Sequence, residues 1–161
     1  MKVALLPNFD REGTAEIFLK ITEILNEQQI EFLLSGDMND DELYELCDVI
    51  ITIGGDGTLI KHAKAAAKFG KPCLGVNTGN LGFLANVDKD AIELLKKLKA
   101  NEYKIEQRMM LEVSAVKNGE ILYNDIALND AVVSSGSVAR IADIGLSIAG
   151  DEINYRADGV I

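Results

Sequence analysis

The sequence predicts an α/β N-terminal domain built on a parallel, Rossmann-like sheet, followed by a β-rich second domain that is incomplete where the chain stops. Three observations carry this. Strand and helix signals alternate through the first hundred or so residues; the apolar run Val49-Ile50-Ile51-Thr52-Ile53 is followed at once by Gly54-Gly55-Asp56-Gly57-Thr58; and from about Glu102 the pattern changes to short alternating strands with turn signals. The division is placed between residues 100 and 101.

Taken in order, Val3 to Leu6 reads as a strand, and Thr14 as the cap of a helix whose apolar positions include Ile17, Ile21, Ile24 and Leu25. Ile30 to Leu34 is the second strand, Asp40 to Cys47 a short acidic helix, and Val49 to Ile53 a strand buried on both faces. Thr58 to Phe69 follows as a helix and Pro72 to Val76 as a fourth strand. Asp88 or Asp90 starts a helix with Ile92, Leu94, Leu95 and Leu98 on one side and a Glu93 to Lys97 pair on the other. In the second domain Leu111 to Val116 and Glu120 to Tyr123 flank the hairpin signal Asn118-Gly119. Ala131 to Val133, Ile141 to Ile148 and Ile153 to Tyr155 are further strands, with Gly150-Asp151 as a corner. Ala157 to Ile161 reads as the start of another element, so the sequence is taken as the N-terminal part of a longer unit.

Composition narrows the function. The chain has 161 residues, 48% hydrophobic and 26% charged, with a formal net charge of -10. That acidity argues against a nucleic-acid binder, which needs cations to replace counterions. No apolar stretch approaches the roughly 20 residues that span a bilayer, no signal peptide is evident, and the expected location is cytoplasmic with no membrane partner. Cys47 and Cys73 are far apart without ligand spacing and read as core residues. His62 reads as a surface residue and Met109-Met110 as strand packing.

A strand, a glycine turn and a helix N-terminus present free N–H groups and a positive dipole end, the arrangement that binds phosphate. Gly54, Gly55 and Gly57 would let backbone approach a diphosphate, whereas a β-carbon would restrict conformation and access. Asp56 is sharper, because a carboxylate beside phosphates is unfavourable unless it holds a cation or takes a proton from an attacking hydroxyl. Helix capping is its structural alternative, which Thr58 could already supply.

GGDGT after an apolar strand, then Asn77-Thr78-Gly79-Asn80-Leu81-Gly82-Phe83-Leu84, Leu128-Asn129-Asp130 and Arg156-Ala157-Asp158-Gly159, resembles the NAD kinase family in order and spacing. GGDGT alone is shared with diacylglycerol and sphingosine kinases, but Leu59-Ile60-Lys61-His62 lacks the Asn-Glu pair typical of the lipid kinases. The resemblance implies ATP-dependent phosphorylation of the 2'-hydroxyl of the adenosine ribose of NAD. It further implies Mg²⁺ or another divalent cation, whose ligands the sequence leaves unassigned, and a homo-oligomer.

By that resemblance Asp56 accepts the proton of the 2'-hydroxyl, and the corner from Gly54 to Thr58 holds diphosphate. Asn129 bonds the adenine or its ribose; Asp130, at a position commonly glutamate, accepts from ribose hydroxyls. Phe83 walls the adenine site, Arg156 and Asp158 match a site on the nicotinamide side, and Lys61 and Arg140 match basic positions that meet phosphate or a neighbouring subunit. The family's Thr-, Ser- and Gly-rich stretch after Asp158 is not in this sequence; were these residues the whole polypeptide, the substrate pocket would lack a wall and the β unit would have an unpaired edge, with weak activity or poor solubility expected. Two alternatives stand beside this reading: another GGDGT-type kinase acting on a lipid or sugar phosphate, and a non-catalytic NAD- or ATP-binding fragment. A dehydrogenase is disfavoured, since Leu6-Pro7-Asn8-Phe9 has no G-x-G-x-x-G.

Overall fold

β1 (Lys2–Pro7) has Val3 to Leu6 fully buried, and their side chains alternate between two cores. The computed structural model describes residues 1–79, 82–85, 87–135 and 141–161. The chain divides into two units, Met1–Arg108 and Met109–Ile161.

In the first unit α1 (Thr14–Glu27), β2 (Glu31–Leu34), α2 (Asp40–Leu46), β3 (Val49–Gly54), α3 (Asp56–Lys68), β4 (Cys73–Asn77) and β5 (Val87–Asp88) follow in turn, then a 3-10 helix over Lys89–Lys97. The strands form one parallel sheet in the order β2-β1-β3-β4-β5. β3 is buried at every position, as its continuous apolar run requires of a strand covered on both faces. Val3, Leu5, Ile51 and Ile53 pack with Ile17, Ile21, Ile24 and Leu25 of α1 and with Ile92 and Leu95 of the 3-10 helix. Ala4, Leu6 and Ile50 pack on the other face with Leu43 and Tyr44 of α2 and Ala66 of α3. Each fully buried Leu or Ile contributes about 1.5–3 kcal/mol relative to exposure.

This layering decides where a ligand can sit. The chain leaves β1 through α1 on one face and β3 through α3 on the other, so the loops after these adjacent strands diverge. In doubly wound sheets the crevice at such a switch point, outside the carboxyl ends of the strands, is the binding site.

Several local expectations are corrected. Thr14 does not cap α1: Gly13, at φ 81°, occupies that position, and Thr14 is fully buried with no hydrogen-bond partner for Oγ1 among the described residues. The helix expected after Asp88 is 3-10, and Lys96 rather than Lys97 pairs with Glu93 at 2.6 Å, because three residues per turn eclipse positions i and i+3. His62 is half-buried rather than freely exposed; its Nδ1 and the Tyr44 hydroxyl are hydrogen-bonded at 2.8 Å. The helix after the corner begins at Asp56, not at Thr58.

The second unit contains β6 (Leu111–Lys117), β7 (Glu120–Ala127), β8 (Val133–Ser134), β9 (Ala142–Ile148), β10 (Asp151–Ala157) and β11 (Gly159–Val160), paired antiparallel as β6-β7, β9-β10 and β8-β11. Asn118 and Gly119, at φ 53° and 84°, make the two-residue turn that their sequence encodes. The second hairpin turns one residue earlier than expected, at Ala149 and Gly150, which take φ 51° and 97° and leave Asp151 in the strand. Met109 lies before β6 and is 85% exposed, so it does not pack in a strand. Cys47 and Cys73 are free thiols, each packed in or against the second core.

Candidate functional site

Three loops meet at the carboxyl ends of β1, β3 and β4. The Asn8 N–H donates to the Ile53 carbonyl at 2.9 Å, and Asn8 Nδ2 to Thr58 Oγ1 at 3.5 Å. The Thr78 N–H donates to the Gly54 carbonyl at 2.8 Å, and the Gly79 N–H to Asn77 Oδ1 at 3.0 Å. Asn77, Thr78 and Thr58 are buried there, so the polar side chains fix backbone rather than face solvent.

At Gly54 the constraint is space, not dihedral angle, and at Gly55 an added β-carbon would displace the tip of one long side chain. Gly55 caps α3 in an ordinary extended conformation, φ -128° and ψ -171°. A β-carbon at Gly54 would overlap the Thr58 hydroxyl, and one at Gly55 the guanidinium of Arg11. Gly57 differs, for a β-carbon there meets nothing within 4 Å. The Thr58 and Leu59 N–H groups bond the Gly55 carbonyl at 3.0 and 3.2 Å, while those of Asp56 and Gly57 have no partner among the described residues. Two free donors thus sit at the positive end of the α3 dipole, beside an open position.

Asp56 is the first residue of α3 and binds the loop that follows β4. Its Oδ2 accepts from the Phe83 N–H at 2.8 Å, and Oδ1 from Leu84 and Ala85 at 3.2 and 3.0 Å. These bonds, the Ala85 one foremost, hold its carboxyl below the usual range against a smaller desolvation penalty, and the charge of Arg11 adds to them. A β-carbon at Gly82 would overlap the carboxyl group, so glycine is needed for the loop to close on it. Oδ2 carries a single bond and keeps a lone pair for an incoming hydroxyl or cation. Among the described residues no cluster of three metal-ligating side chains exists, so a cation here would draw most of its oxygens from a ligand.

The predicted residues divide by unit. Gly54, Gly55, Asp56, Gly57, Thr58 and Phe83 converge in the first, with the Phe83 ring entirely exposed although its N–H is bound. Lys61 is exposed on α3. In the second, Asn129 and Asp130 are exposed beyond the end of β7. Arg156 on β10 pairs with Asp143 at 3.1 Å, both well exposed, an ion pair worth little by itself. The carbonyl of Asp158 accepts from the Ser135 N–H at 3.1 Å. Arg140, Asn80 and Leu81 lie outside the described residues. Arg11 was not among the sequence candidates; its only sequence signal is a basic residue in the turn after the first strand.

Residues 40–103 match the family model of the ATP-NAD kinase N-terminal domain. The NAD kinase of Acetivibrio thermocellus is 34% identical over an alignment covering all of this chain and 60% of that protein. That of Thermoanaerobacter sp. strain X514 is 36% identical over 99% of this chain and 61% of its own length. The NAD kinase of Symbiobacterium thermophilum is 46% identical over a shorter alignment, 71% of this chain and 41% of its own. The chain thus spans about 60% of the length of the first two relatives. The crystal structure of yeast NADH kinase complexed with NADH superposes with a TM-score of 0.78 over 99% of this chain and 56% of that one, at 18% identity, a likeness of fold.

Proposed function

The chain belongs to the ATP-NAD kinase family, and from that membership we propose that its protein transfers the γ-phosphoryl group of ATP to the 2'-hydroxyl of the adenosine ribose of NAD, giving NADP. The observation that carries the reading is the corner itself. N–H groups of Asp56 and Gly57 and a carboxylate lone pair, all without a partner among the described residues, stand together at the carboxyl end of β3. Donors of this kind suit phosphate oxygens, and the carboxylate suits a hydroxyl that must lose a proton.

In the step, the 2'-hydroxyl oxygen attacks the γ-phosphorus. The bond from that phosphorus to the β,γ-bridging oxygen breaks, the hydroxyl proton passes to Asp56 Oδ2, and ADP leaves with the bridging electron pair. A carboxyl held below the usual range is a weak base, which a loose phosphoryl-transfer transition state tolerates because little charge builds on the nucleophile early. A divalent cation, held chiefly by the nucleotide phosphates, would neutralise charge on the transferring group.

Phe83 offers an exposed ring for adenine to stack on, and Lys61 a cation on the same helix as Asp56. Asn129, Asp130, Arg156, Asp158 and Arg140 keep the roles that family resemblance gives them. A homo-oligomer and a cytoplasmic location go with the same reading. The test is NADP formation by the full-length protein from NAD, ATP and Mg²⁺, against diacylglycerol and fructose 6-phosphate as acceptors. Phosphorylation of either in place of NAD would overturn it.

A further inference from the structure

Arg11 sits in the turn between β1 and α1, a segment to which the reading above gives no role. The turn is built by the Arg11 N–H bonding the Asn8 carbonyl at 3.1 Å and the Thr14 N–H bonding the Arg11 carbonyl at 3.3 Å. Gly13, at φ 81°, completes it and lies so close to the loop after β4 that an added β-carbon would stand 3.5 Å from the Thr78 carbonyl.

From there the side chain reaches across both glycine loops. A β-carbon on Gly79 would stand 2.6 Å from Nη2, and one on Gly55 would overlap Nη1. Glycine at both positions is what lets the guanidinium lie against backbone, spanning the end of β3 and the end of β4. Acidic residues outnumber basic ones 26 to 16 in this chain, and Arg108 and Arg156 each hold a carboxylate. Arg11 holds none among the described residues, and its residue is exposed. An arginine in an acidic chain that feels the Asp56 charge but is within ion-pair distance of no carboxylate among the described residues, laid on a glycine floor at the switch point of the sheet, is a fork of donors presented to an anion.

We infer that Arg11 binds the adjacent phosphates of the nucleotide at the Gly54–Thr58 corner, its planar guanidinium bridging oxygens of a diphosphate group while the α3 N-terminus takes the others. The inference rests on the reading of that corner as a phosphate site. Arg11 comes from the loop after β1 and the corner from the loop after β3, so the two halves of the diphosphate site come from the two sides of the switch point. The role is binding and positioning, since the proton transfer is assigned to Asp56.

The test titrates the full-length protein, Arg11→Ala and Arg11→Lys with inorganic pyrophosphate and, separately, with adenosine, and measures Kd calorimetrically. Arg11→Ala should weaken pyrophosphate binding about tenfold or more, Arg11→Lys should recover part of that as a point charge without the fork, and adenosine binding should stay within about twofold. Pyrophosphate binding unchanged in Arg11→Ala, an equal loss toward adenosine, or no pyrophosphate binding by the unaltered protein would each overturn the inference. NADP formation measured alongside separates it from the kinase reading. Pyrophosphate binding that depends on Arg11 without NADP formation would sink the kinase reading and leave the inference; NADP formation with pyrophosphate binding indifferent to Arg11 would do the reverse.

Discussion

Asp56 and Phe83 are joined by a 2.8 Å hydrogen bond from the Phe83 N–H to Oδ2, and through it the helix after β3 holds the loop after β4. The same carboxylate that the sequence marks for chemistry is therefore also a clasp. Its two tasks are separable by experiment.

Two glycine substitutions separate space for the fold from space for a ligand. Gly82→Ala should force the clasp open, because its β-carbon overlaps the Asp56 carboxyl, and should destabilise the first unit by about 1–3 kcal/mol as overpacking does. Gly57→Ala meets open space inside a helix and should leave the melting midpoint unchanged or slightly raised, while raising the KM for nucleotide. Thermal melts beside steady-state kinetics check both. Unaltered nucleotide KM in Gly57→Ala would show that no ligand approaches that position.

Asp56 should also shape the acid side of stability. Its carboxyl titrates lower in the folded protein than in the unfolded chain, so its contribution is complete above the unfolded value and is lost as pH falls through the folded one. Asp56→Asn should flatten that part of the stability curve, measured by urea unfolding from pH 5 downward. A curve as steep as the parent's would show that the three N–H bonds are not made in solution.

His62 should act in the opposite part of the scale. Burial chiefly, and the charge of Lys61 secondarily, lower its pKa against a raising effect of Asp40, while burial first among its causes pushes the Tyr44 hydroxyl up to about 12. The unfolded chain thus takes a proton before the folded one does, so stability should fall as pH drops from about 7 toward 5. Melts of His62→Gln across that window should show a smaller fall, and an identical fall would assign it elsewhere.

Thr14 offers a simple gain. Its hydroxyl is buried without a partner among the described residues, so Thr14→Val should be neutral or stabilising by up to about 1 kcal/mol, read from the urea midpoint. A loss above that would mean the hydroxyl is bonded in solution.

Much of this was legible in the chain because the signals were local. The apolar run of β3, the amphipathic positions of α1 and the Asn118-Gly119 turn each state their conformation within a few residues. The corner was legible for the same reason, three glycines about one carboxylate at the end of a buried strand. Arg11 was not, since a lone arginine in a loop carries no pattern. It acquires meaning only when the sheet order places β1 beside β3, a fact of tertiary pairing. The clasp on Phe83, Leu84 and Ala85 was hidden likewise, because backbone donors leave no mark in a sequence. The two-residue β5 and the 3-10 character of Lys89–Lys97 escaped for lack of a period long enough to read.

The most direct test of the account is single-turnover NADP formation by the full-length protein, with Asp56→Asn and Asp56→Ala beside the unaltered form and NAD affinity measured for each. Removing a group that takes a proton costs roughly 10²- to 10⁴-fold. A loss of that order is expected in both variants with NAD still bound, with faster amide exchange at Phe83, Leu84 and Ala85 in Asp56→Ala and a smaller part of that loosening in Asp56→Asn, since the single acceptor oxygen of asparagine can replace only one of the two carboxylate oxygens. NADP formation at the parent rate in Asp56→Asn would contradict it, leaving Asp56 a clasp and nothing more.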